Sequence, residues 1–193
     1  MPRFCAVLVL MLSPALLTNL GAQDSAKGAT EVSRYCSQAA AYAQKHPAEL
    51  FSATPKNADP GRDRWRKLQS RQQLQTDARN ANSTAKVSLR DRHVIFVEAV
   101  FQNQFGDSTQ AVDYCFRLDG TLAELHSELK SFHGGLRILR SMEYDDAGKQ
   151  ISRTMQSFDL DSGKSVAVPR DFWDFPPPIY RHVADLPFAK ELR

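Results

Sequence analysis

Three side chains near the middle of the chain have the types and spacing to do chemistry. Glu124, His126 and Glu128 alternate along one short segment, so in an extended strand all three point to the same side. A hairpin closing around Gly134 brings Ser141, Glu143 and Asp145 beside them. Asp113 falls opposite His126 on the strand before. One imidazole among several carboxylates can hold a divalent cation or keep its own proton near neutral pH. Glu124, His126, Glu128 and Glu143 are therefore the candidate metal ligands, and metal-dependent hydrolysis by an activated water is the chemistry they imply. A solvated outer sheet face accounts for the same residues without any chemistry. The rest of the chain carries no Gly-x-Ser-x-Gly, His-Glu-x-x-His, Cys-x-x-Cys or phosphate-binding glycine loop. No catalytic residue is assigned, and no cofactor beyond that cation is expected. His133 reads as a hairpin-tip residue, and His46, His93 and His182 have no evident partners.

The cysteines speak to compartment. Met1-Pro2-Arg3 precedes the apolar run Phe4–Leu12, and Leu20-Gly21-Ala22 is followed by polar residues. That is the layout of a secretory signal peptide over 1–22, cleaved after Ala22. The expected location is secreted or periplasmic. The apolar run is too short to span a bilayer, and no later segment is long enough. Cys36 and Cys115 remain after cleavage, and in an oxidising compartment they are a disulfide candidate. Closing so long a loop stabilises by about 3–4 kcal/mol where the native geometry is unstrained.

Two further stretches can meet partners. Residues 62–92 carry nine basic and three acidic side chains, a net +6 in a 193-residue chain of net +3. Arg62 and Arg66 beside Trp65 suit peripheral contact with an anionic lipid or glycan surface. Nucleic acid is not expected, given export and the small overall charge. The C-terminus is rich in proline and aromatics, with Trp173, Phe175, Pro176-Pro177-Pro178 and Tyr180. Prolines hold such a segment extended, and its aromatics demand an apolar groove. The candidate ligand-binding residues are Trp173, Phe175 and Tyr180 in this tail, with Tyr114 and Phe116 on the sheet beneath.

These residues need elements to position them. Turn signals recur at Gly106-Asp107, Asp119-Gly120, Gly134-Gly135, Ala147-Gly148 and Ser162-Gly163, with β-forming segments between. Strands are predicted at about 93–104, 109–118, 121–132, 136–145, 150–160 and 164–168. Their shared apolar face holds Ile95, Val97, Ala99, Val112, Tyr114, Phe116, Leu118, Ala123, Leu125, Ile138, Met142 and Tyr144. Cys115, with Asp113 and Arg117, falls on the other face, in tension with a bond to Cys36 unless the first helix reaches that side. In the N-terminal half, Val32, Cys36, Ala39, Ala40 and Ala43 form a helical stripe that Pro47 ends. Residues 62–81 read as a second, solvated helix. The expected fold is α+β. N-terminal helices pack on one face of a five- to six-stranded antiparallel meander, and the C-terminal tail wraps back. The domain plan is a disordered 23–30 followed by one domain over 31–193, helical over 31–81, a β-meander over 87–168 and an extended tail over 169–193. That outline is shared by cystatin-like and half-barrel lipid-carrier shapes, and an outline carries no activity. The function expected is an exported, non-enzymatic domain that binds a ligand or a protein. The alternatives are the metal-dependent hydrolase and an envelope structural or surface-adhesion protein.

Overall fold

In the computed structural model, residues 20–54, 64–77, 81–102, 106–168 and 176–192 are described. Helix α1 spans Leu20–Lys45, strand β1 Glu49–Thr54 and strand β2 Arg64–Leu68. A short helix α2 (Arg71–Asp77) follows, then β3 Ser83–Arg90, β4 His93–Gln102 and β5 Ser108–Phe116. The chain continues through β6 Leu122–Ser131, β7 Leu136–Tyr144, β8 Gln150–Asp159 and β9 Ser165–Val166. All nine strands form one antiparallel sheet in the order β2-β1-β3-β4-β5-β6-β7-β8-β9.

This corrects the expected architecture. The sheet has nine strands, not five or six, and among the described residues two α-helices accompany it, one of them two turns long. Residues 49–54 and 64–68 are strands where a helical region was expected over 31–81. The cause is local. Trp65 and Leu68 are three apart, which suits a helix, but β2 is an edge strand with Leu68 its one fully buried residue. A solvent-facing edge strand of basic residues gives little period-2 signal. Residues 23–30, expected to be disordered, lie within α1. Their Ala, Gln and Lys are good helix formers, and they extend a helix already anchored further along.

What covers each face also differs from expectation. On one face Val97, Tyr114, Leu125 and Met142 stand in a single cross-strand row, all buried. The segment after residue 176 closes this face: Leu186 and Phe188 are buried in the same core, with Tyr180 and Val183 packed against it. Phe188 stacks on Phe51 at 4.7 Å between ring centroids and tilts against Trp65 at 4.9 Å. The Tyr114 hydroxyl donates to the Pro178 carbonyl at 2.8 Å, and Thr121 pairs with His182 as an isolated β-bridge. Helix α1 lies on the opposite, polar face. There Cys36 bonds to Cys115, with Ala39, Ile95 and Ala123 buried around them. That placement removes the tension in the sequence: the disulfide forms because the helix sits on the side to which Cys115 points. Register shifts at Ser88/Leu89 and Cys115/Phe116 turn Ile95 and Ala123 from the expected apolar face toward α1. Leu118, also expected in the core, is 55% exposed just beyond β5.

Candidate functional site

The acidic residues around His126 do come together. The register pairs Asp113 with His126, His126 with Ser141, and Glu124 with Glu143. His126 Nε2 lies 2.8 Å from Glu124 Oε1. Glu124 is 5% exposed, whereas the imidazole faces solvent. The hydrogen bond that His126 donates to Glu124 raises the His126 pKa, outweighing the opposing effect of burial; the charges of Glu124, Asp113 and Glu143 add to the rise. Burial, then the Glu124 charge, raises Glu143, whose Oε2 is buried without a hydrogen-bond partner. Burial, then Glu98, raises Asp113. Glu128 stands apart. Burial would raise it, but hydrogen bonds from Arg137 at 2.8 Å and Lys130 at 3.3 Å win, and its pKa is lowered. Among the described residues, no three His, Cys, Asp or Glu side chains converge as a metal ion would require. What the cluster can do is hold protons: it is a set of neighbouring acids and one imidazole on the face of the sheet that carries α1.

The expected ligand-binding aromatics sit elsewhere than a cavity wall. Tyr114 and Phe116 are fully buried, and Tyr180 packs its ring 5.6 Å from Tyr114. Burial drives the Tyr114 pKa far up. These residues are core, plugged by the chain's own C-terminal segment, and line none of the surface grooves described below. Trp173 and Phe175 lie outside the described residues.

The basic segment is largely paired. Arg66 meets Asp77 at 2.7 Å, and Ser52 donates to the same carboxylate at 2.7 Å. The Ser52 hydrogen bond, then that from Arg66, lowers the Asp77 pKa. Lys67 meets Glu49 at 2.7 Å, Lys86 meets Glu98 at 3.5 Å, and the Arg90 guanidinium lies 5.8 Å from the Tyr42 ring centre. Arg66 thus bridges β2 and α2, and Arg62 lies outside the described residues.

Two grooves open on either side of Leu118. One, about 420 Å3, runs between α1 and the β7–β8 hairpin, with Val32, Tyr35 and Ile151 in its wall. Its cation is committed: Arg117 binds Asp146 at 2.9 Å and donates to the carbonyls of Leu122 and Tyr144. The other, about 630 Å3, lies between the β3–β4 turn, the β5–β6 turn and the C-terminal 3-10 turns. Arg92, His93, His182 and Lys190 line it, and among the described residues the side chains of Arg92, His93 and Lys190 have no ion pair or hydrogen bond. Asp119 also lines it, but its carboxylate accepts from the Thr121 amide and hydroxyl, which holds its pKa down. Sequence reading found His93 and His182 without partners and stopped there. No spacing links them to Arg92 and Lys190, because three separate turns must fold to bring the four together. No protein-family model, no curated protein and no solved structure matches this chain.

Proposed function

We propose that the protein is an exported binding domain whose ligand occupies the groove between the β3–β4 turn and the C-terminal segment. The observation that carries this reading is the groove itself: about 630 Å3 of open space lined by Arg92, His93 and Lys190, whose side chains have no ion pair or hydrogen bond among the described residues. That volume lies within the range of small-molecule sites. Export is supported by the Cys36–Cys115 bond, which suits an oxidising compartment. No helix among the described residues is long and apolar enough to cross a membrane. The hydrolase reading loses its support where Glu128 turns to Arg137 and Lys130.

The test is an amide-resolved NMR titration with pooled small amphiphiles, anionic, neutral and cationic. The expected result is saturable shifts at residues 89–94, 118–120 and 182–192. Shifts confined to other parts of the molecule, or none with any class, overturn the reading.

A further inference from the structure

We infer that this groove takes an amphipathic carboxylate, an apolar chain ending in one acidic head group. The inference rests on the binding reading above and names its ligand class. The wall of the groove is apolar, formed by Leu89, Val94, Val183 and Leu192. Leu118 stands at its lip, 55% exposed. An apolar side chain so placed leaves a surface that a hydrocarbon chain covers favourably. The fixed charges favour an anion. Arg92 and Lys190 come from separate elements, with the hydrogen-bonding rings of His93 and His182 beside them, and among the described lining residues the one carboxylate, Asp119, is already occupied by Thr121. Two fixed cations beside an apolar trough disfavour a cationic ligand and leave a neutral hydrocarbon without use for them. A carboxylate answers both features.

The turn that delivers Arg92 supports the assignment. Arg90 pairs with His93 across a two-residue turn, Asp91-Arg92, and both have positive φ, 51° and 69°. Glycine is favoured at the second position of such a turn, and arginine adopts it only at a cost. The side chain at residue 92 is thus carried by a backbone that would fold more readily without it.

Dodecanoate below its micellar concentration is the probe, compared with dodecan-1-ol and dodecyltrimethylammonium by calorimetry and His-ring NMR. Saturable dodecanoate binding is expected, with shifts at His93 and His182, at least about tenfold tighter than the alcohol. Arg92→Gly is expected to keep or raise the melting temperature while weakening dodecanoate about tenfold, an outcome a purely structural Arg92 would not give. Leu118→Asn is expected to weaken the carboxylate and the alcohol alike. Equal binding of alcohol and carboxylate at the groove overturns the ligand class and leaves the groove reading standing. Shifts at no groove residue overturn both. Dodecanoate affinity unchanged in Arg92→Gly overturns the assignment. So does sedimentation with phosphatidylglycerol vesicles without dodecanoate binding, which would make the occupant a membrane surface.

Discussion

The two faces of the sheet are closed by opposite means. The apolar face is closed by an extended C-terminal segment that no covalent bond holds: Phe188, 2% exposed, sits between Phe51 and Trp65, and Leu186 is buried beside it. The polar face is closed by a 26-residue helix whose fully buried side chains, among those described, are Cys36 and Ala39. A large aromatic ring in a preformed apolar slot anchors a chain by its own transfer free energy. Helix α1 packs on a smaller cluster, with Val32, Tyr35 and Tyr42 against Ile95, Phe96 and Ala123, and there a disulfide supplements the packing. The first way to break the comparison is Phe188→Ala. Truncating a buried ring of this kind costs about 4 kcal/mol. Urea unfolding of this variant is expected to show that loss, with faster amide exchange at residues 177–192. A loss below about 1 kcal/mol would mean the segment is not the closure of the core.

The matching change on the other face is Cys36→Ser with Cys115→Ser. The bond spans a sequence separation of 79. Removing a bond that closes a loop of this size costs about 3 kcal/mol. The loss is expected to be local as well as global: α1 amides exchange freely, while β4–β8 keep their protection. The Tyr35 hydroxyl, which donates to the Phe116 carbonyl at 2.9 Å, reports the same release. If α1 stays protected in the double variant, the helix is held by packing and the contrast between the faces disappears.

What the sequence made legible follows from backbone chemistry. Gly106, Gly120, Gly135, Gly148 and Gly163 all have positive φ, and each sits at a reversal that its dipeptide announced. Six strands, β4–β9, and the Asp113–His126–Ser141 register follow from those five turns. The β3–β4 reversal uses Asp91-Arg92, with no glycine or proline to mark it, so β3 was missed. β2 is hidden because it is an edge strand of mostly basic residues, and β1 because its six residues carry no turn signal and only a short apolar run. The acidic cluster was readable because two neighbouring strands alternate. The groove at Arg92 was not, because its lining comes from the β3–β4 turn, the β5–β6 turn and the C-terminus, and only the folded chain joins them.

The smallest effect expected lies in the acids on the face that carries α1, and its sign is fixed by the direction of three shifts. His126, Glu143 and Asp113 all have pKa values raised by folding. Each therefore binds its proton more tightly in the folded state than in the unfolded chain. The His126 contribution is fully present below about pH 6.5 and is lost as pH rises through its higher folded value. Glu143 and Asp113 act in the same sense at lower pH, since ionising them there costs more than ionising them in water. Asp77 and Asp119 act oppositely, with lowered values whose stabilisation fades in acid, but neither belongs to this cluster. In His126→Gln, Glu124 stays buried and loses its cationic partner. The destabilisation is therefore expected to be largest near pH 5.5 and smallest near pH 8.5, read from melting temperatures at constant ionic strength. The apolar face holds no such set of acids, so Phe188→Ala is expected to cost the same at both pH values. A His126→Gln penalty independent of pH would show that Glu124 and His126 are held by packing rather than by charge. The polar face would then lose the one electrostatic property that separates it from the face beneath Phe188.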